Sequence, residues 1–384
     1  MKFLHVIASL NPADGGPREG ICRRGIFLKE RGHQVDIATL DDPAAPFLKD
    51  APLTVYPLGP SSSGYRYSNR LVPWLKLHAR EYDGVIVHGL WQFQGLGTRM
   101  ALRRLGMPYY VFPHGMLDPW FKERYPLKHL KKWLYWPWGE YRVLRDAKAV
   151  LFTSEEERLL ARKSFWLYRA RERVVAYGTS PPPTNRIELR QKFYERYPEL
   201  RDRRFLLFLS RIHEKKGCDL LIEAFAKAST KDRELHLVIA GPSEPQLMQT
   251  LQQMVNVHSL ESRVTFLGML QGELKWGAFY AAEAFVLPSH QENFGIAVAE
   301  ALGCGVPVLI SNKVNIWREI TAAHAGFVED DTQPGIDRLL ARWIDVTAPV
   351  RTEMARNAVN LFERQFKVDA MAQSLLDVVA GVPA

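Results

Sequence analysis

The sequence predicts an α/β protein made of two doubly wound parallel sheets. Three observations predict it. Apolar runs alternate with amphipathic stretches along almost the whole chain, and each parallel crossover needs a helix of this kind. The alternation stops at Ser180-Pro181-Pro182-Pro183-Thr184, where proline fixes φ and removes donors, and then restarts. The length, 384 residues, suits two domains that each bury a core. The expected division is residues 1–185 and 186–364, with a C-terminal helix at about 365–384.

Residues 2–8, KFLHVIA, read as a buried strand. A helix follows at about 19–31 and a second strand at 34–40. Residues 43–80 show no period and carry Ser61-Ser62-Ser63-Gly64, so a loop is expected there. Residues 83–88, DGVIVH, read as a strand, 95–105 as a helix, and 108–112 as a strand ending in Pro113-His114-Gly115. A strand at 149–154, a helix from Glu155 and an extended piece at 174–178 complete the half. In open parallel sheets ligands gather at the carboxyl ends of strands. His88, Trp91 and His114 stand at such ends; for each histidine a hydrogen-bonded core role is the alternative.

Residues 118–148 have an unusual composition. Trp120, Trp133, Trp136 and Trp138 interleave with Lys122, Arg124, Lys128, Lys131 and Lys132. Two readings stand: a core helix with a solvated basic face, or a surface for a lipid-linked or polymeric acceptor or an anionic membrane. Nothing resembles a nucleic-acid-binding motif, and no nucleic-acid partner is expected.

The second half repeats the pattern. RFLLFLS at 204–210 is a strand, followed by a loop carrying Arg211, Lys215, Lys216 and Gly217, then a helix at 219–228. Strands at 235–240 and 264–267 end in Gly241 and Gly268-Met269. A helix at 272–281 precedes the strand 284–287. Then comes SHQENFGIAVAEALGCGVPVLIS, residues 289–311. Its loop holds Glu292, its helix begins at Ile296, and the next strand is 306–310. Glu300 follows Glu292 by eight residues, so two carboxylates could grip different hydroxyls of one elongated ligand. The N–H groups at the start of this helix favour an anion. Residues 317–320, 333–343 and 350–381 read as helical, and 326–328 as an edge strand.

This stretch resembles the E-x7-E signature of retaining glycosyltransferases of family 4, which have the GT-B fold. The flanks Asn293-Phe294-Gly295, Ala299-Glu300-Ala301 and Gly305-Val306-Pro307-Val308 carry the resemblance beyond the two glutamates. Its implication is a pair of Rossmann-like domains facing across a cleft, with the last helix crossing back onto the first. By the same resemblance, Glu300 binds ribose hydroxyls and Glu292 the hydroxyls of the sugar. The backbone from Asn293 through Phe294, Gly295 and Ile296 to Ala297 meets sugar and phosphate. Arg211 and Lys216 hold the donor diphosphate, Gly15 and Gly16 face the phosphate, and the base rests near Gly241, Gly268 and Met269. Pro113-His114-Gly115-Met116-Leu117 resembles a segment of bacterial members that lies near the transferred sugar.

The expected activity is a retaining, metal-independent hexosyltransferase, with UDP-glucose as the best donor and a glycan or lipid-linked glycan as acceptor. No D-x-D is present to hold a metal on the diphosphate, and no cofactor is expected. Alternatives of the same architecture are a nucleotide-sugar 2-epimerase and a silent sugar-nucleotide-binding subunit. The glycines GGPREG do not make G-x-G-x-x-G, which argues against a dinucleotide-dependent dehydrogenase. Three scattered cysteines argue against disulfides or zinc and fit a reducing cytosol. The apolar start, Phe3 to Leu10, is too short for a secretory signal, so a cytoplasmic location, peripheral to the inner membrane face, is expected. Net charge is +9, but residues 1–187 hold 29 Lys+Arg against 17 Asp+Glu while the remainder holds 22 against 25. A basic first half suits an acidic partner.

Overall fold

The computed structural model describes residues 1–12 and 16–382. The chain divides into two compact units, Met1–Thr179 with Val368–Ala384, and Ser180–Lys367.

The first unit is a sheet of seven strands. In chain order they are β1 (Lys2–Ile7), β2 (Gln34–Thr39), β3 (Thr54–Pro57), β4 (Gly84–His88), β5 (Tyr110–Phe112), β6 (Ala149–Phe152) and β7 (Glu172–Val174). Their spatial order is β3-β2-β1-β4-β5-β6-β7, and every pairing is parallel. The order reverses between β1 and β4, where Ile7 pairs with His88. This is the switch point at which doubly wound sheets bind ligands. Side chains alternate across β1: Leu4 and Val6 pack into one core, Phe3 and Ile7 into the other. The second core is closed by the helix Val368–Ala380 through Ala372, Leu375 and Val378. Val368 N–H donates to Thr179 O at 3.0 Å, so the chain re-enters this unit beside the residue at which it left.

Residues 43–80 are not one loop. They supply β3, which pairs with β2, and the helix Leu71–His78. The stretch 350–381 is not continuous helix either. Ala348–Leu361 ends in a π-helical turn, Phe362–Phe366, and Lys367 is extended before Val368–Ala380 begins.

The second unit is a sheet of six strands: β8 (Arg204–Leu209), β9 (Leu235–Ala240), β10 (Val264–Gly268), β11 (Ala284–Leu287), β12 (Val308–Ser311) and β13 (Gly326–Glu329). The order is β10-β9-β8-β11-β12-β13, again all parallel, with the reversal between β8 and β11. The helix Ile296–Gly303 links β11 to β12, so Glu292 and Glu300 stand beyond the carboxyl end of β11. Among the described residues no helix is long and apolar enough to cross a membrane.

Candidate functional site

In the second unit two loops are stitched together at the switch point. His213 caps the short turn Glu214–Lys216, its Nδ1 accepting from Lys215 N–H at 3.2 Å. The Lys215 carbonyl accepts from His290 N–H at 2.7 Å and from Ser289 Oγ at 2.9 Å. Gly217 has φ +67°, and a Cβ there would lie 2.3 Å from Pro288 O, so only glycine lets the β8 loop approach the end of β11. The stitching brings together residues 76 apart in sequence: Lys216 Nζ donates to Glu292 Oε2. Lys216 is buried and Glu292 half-buried. Burial pushes the Glu292 carboxyl up, but the contacting Lys216 ammonium and nearby Lys215 pull harder, and it sits below the usual carboxylate range. Glu292 is thus an anion at neutral pH and has no proton to give.

Glu300 is buried on the helix Ile296–Gly303 and forms an ion pair with Lys275, whose Nζ lies 2.8 Å from Oε1. Lys275 also sits 4.2 Å from the centroid of the Trp276 ring. Sequence reasoning missed Lys275, because it is one lysine on a helix with no motif around it. Arg211 is exposed, and among the described residues it makes no hydrogen bond or ion pair. Gly241 N–H donates to Gly268 O at 2.7 Å, and a Cβ on Gly241 would lie 1.8 Å from Ser210 O. This close approach joins the ends of β8, β9 and β10. Met269 is exposed beside it. Asn293, Ile296 and Ala297 are half-buried around Gly295, which takes φ +78°. The Phe294 side chain is core: it packs edge-on to Phe366.

In the first unit the switch point holds a row of imidazoles. His5 Nδ1 lies 2.7 Å from His88 Nε2, and His88 Nδ1 lies 2.9 Å from His114 Nε2. Burial lowers the basicity of all three, His114 to about 3, with the Arg24 guanidinium adding to it, so the row is neutral. Among the described residues, Nε2 of His5 is buried without a partner. An unpaired buried N–H costs more than an unpaired acceptor. The protons therefore lie on Nδ1 of His5 and of His88, each donating outward, and His114 Nε2 accepts. His114 has φ +52°, and its turn is fixed by Gly115 N–H donating to Glu157 Oε1 at 2.6 Å.

A pocket of about 230 Å³ opens over β1 and β4, lined by Ser9, Arg18, Arg66, His88 and Gln94 among others. Trp91, also at positive φ, donates from its indole to Met116 O at 3.3 Å and packs on Trp136 and Phe165. Its N–H meets Glu140 Oε1 at 2.7 Å. Burial pushes the Glu140 carboxyl up to about 8. Gly16 opens the helix Gly16–Glu30, whereas Gly15 lies outside the described residues.

Two family models match this chain: "Glycosyl transferases group 1" over residues 190–360 and "Glycosyl transferase 4-like domain" over residues 23–178. With the paired parallel sheets, these matches define a GT-B glycosyltransferase. The chain belongs to the family-4-like members of that class. Among curated relatives it is 27% identical over 250 residues to alpha-D-kanosaminyltransferase of Streptomyces kanamyceticus, covering 63% of this chain and 62% of that one. It is 28% identical over 188 residues to mannosylfructose-phosphate synthase of Agrobacterium fabrum, covering 46% and 40%. The matched region thus spans less than two thirds of either relative. Among solved structures, HepE of Anabaena in complex with UDP superposes with a TM-score of 0.78 at 19% identity over 100% of both chains. HepE has also been solved with UDP-glucose.

Proposed function

We propose that this glycosyltransferase is a retaining hexosyltransferase that uses UDP-glucose and needs no metal, with a glycan or lipid-linked glycan as acceptor in polysaccharide biosynthesis. The observation that carries the reading is the Lys216–Glu292 ion pair beyond the carboxyl ends of β8 and β11, with Glu300 following on the next helix in its own ion pair with Lys275. Arg211 and Lys216 supply fixed positive charge beside the departing diphosphate, where negative charge grows as the glycosidic bond breaks. Glu292, held ionised, accepts hydrogen bonds from sugar hydroxyls and does not serve as a proton donor. Glu300 accepts from the ribose, and its ion pair with Lys275 orients it. Asn293, Ile296 and Ala297 meet sugar and phosphate with their backbone, and Gly241, Gly268 and Met269 bed the base. His114, neutral at physiological pH, takes part as a hydrogen-bonding group near the sugar. Attack comes from the leaving-group face, and a donor phosphate oxygen takes the acceptor proton. The UDP and UDP-glucose bound by HepE support the choice of donor.

The test is nucleotide release over a panel of UDP- and GDP-sugars, with and without EDTA. UDP-glucose should turn over fastest, and chelation should leave the rate unchanged. Loss of activity on chelation with recovery on adding Mg2+ or Mn2+ sinks the metal-free assignment. Faster turnover of another sugar nucleotide replaces the donor.

A further inference from the structure

The helix Pro126–Tyr135 in the first unit is turned inside out. Its polar and aromatic side faces the protein. The Lys132 ammonium lies 4.5 Å from the Trp91 ring centroid, His129 stacks on Phe165, and the Tyr135 hydroxyl lies 2.6 Å from that of Tyr65. Its leucines face water: Leu127 is 79% exposed, Leu130 59% and Leu134 71%. Spaced i, i+3 and i+7, they form one stripe. Trp138 is 68% exposed and Trp166 74%, the latter stacked on Trp133 of the same helix with centroids 5.8 Å apart. Isolated exposed leucines are ordinary, but a regular stripe bordered by tryptophans marks an interaction surface.

Charge selects the occupant. Lys122, Arg124, Lys128 and Lys131 are exposed around the stripe, and residues 119–139 hold five Lys+Arg against one Asp+Glu. A second copy would set this positive field against itself. An anionic bilayer is complementary on both counts: leucines enter the acyl boundary, tryptophans sit at headgroup level, and lysines reach back to the phosphates. We propose that Leu127, Leu130, Leu134, Trp138 and Trp166, ringed by these cations, form a docking face for an anionic lipid surface. The proposal does not depend on which sugar nucleotide the second unit binds.

The experiment is flotation of the full chain with phosphatidylglycerol–phosphatidylcholine vesicles and with phosphatidylcholine vesicles, at low and high salt. Partition into the anionic vesicles should be at least tenfold stronger and should fall with salt. Leu130→Gln with Leu134→Gln should weaken it at least tenfold while leaving the thermal unfolding midpoint in place. Lys128→Gln with Lys131→Gln should flatten the salt dependence. On the unaltered protein, acyl-brominated phosphatidylglycerol should quench tryptophan emission, and Trp138→Phe should reduce that quenching. The proposal is overturned by any of three results: no partition at low salt, full partition of the leucine variant, or a concentration-dependent dimer that the leucine variant abolishes.

Discussion

The two units share one topology, yet their switch points are built from opposite electrostatics. In the second, Lys216–Glu292 and Lys275–Glu300 are ion pairs. In the first, His5, His88 and His114 are neutral because burial strips their protons, and Glu140 is pushed toward its neutral form. A charged cluster can neutralise a charged ligand. A neutral cluster can only orient hydrogen bonds. The same fold therefore carries two kinds of switch point, one built from ion pairs and one from neutral imidazoles.

That contrast breaks most sharply at Lys216. Replacing it by Ala leaves the Glu292 carboxylate without its main partner and, on the proposed reading, removes positive charge from the leaving group. Turnover should fall by about two to three orders of magnitude. Arg211→Ala should act in the same direction, and the double variant should be little worse than the worse single one, because the two serve one charge. Steady-state kinetics on the four proteins measures this, and a wild-type rate in Lys216→Ala means the phosphates are held otherwise.

Next in size is Glu300→Ala. Loss of a charged acceptor should weaken UDP binding by about 1.5–3 kcal/mol. Lys275→Ala should weaken it less, through the freed carboxylate. Isothermal titration with UDP ranks the two, and equal affinity in Glu300→Ala and wild type removes the ribose role.

Smaller is the effect of pH on the first unit. Below the ordinary histidine value of 6.5, the unfolded chain takes protons that the three buried imidazoles refuse, so stability falls with acid. Glu140, ordinarily 4.5 and about 8 when folded, keeps a proton that the unfolded chain releases, so stability also falls as pH climbs through that window. From 4.5 to 6.5 the three imidazoles outweigh the one carboxyl. Between 6.5 and about 8 the Glu140 effect leads, sloping by up to about 1.4 kcal/mol per pH unit. Denaturant unfolding should therefore peak near neutrality, and Glu140→Gln should flatten the alkaline side. A curve unchanged by Glu140→Gln disproves that source.

The smallest effect concerns proton position. His5→Phe removes the first donor of the row, so His88 is free to change tautomer and His114 loses its fixed one. Nitrogen-15 shifts should show single tautomers of His88 and His114 in the wild type and mixed ones in the variant. Mixed tautomers in the wild type mean that His5 does not orient the row.

Legibility in the sequence followed how local the causes are. Strands such as β8 and β11 are buried on both faces and announce themselves as apolar runs. β3 is an edge strand with no fully buried residue, so it left no pattern. The helix Pro245–Val257 buries only Leu251 and Val255 and was equally silent. Glu292 and Glu300 were legible because one loop and one helix carry both. Lys275 and the row from His5 to His114 were not, because tertiary packing alone makes them neighbours. The tryptophan-rich segment left two readings open. Burial splits it: Trp136 belongs to the core, whereas Trp138 and the leucines are exposed.

The return of the chain at Val368 also sets an order of events during synthesis. The face of the first sheet that carries Phe3 and Ile86 is finished by Leu375 and Val378, made nearly two hundred residues after Thr179. A ribosome releases the whole of the second unit before that cover arrives. The second unit, continuous in sequence, can fold first, while its predecessor waits with an apolar face open to chaperones.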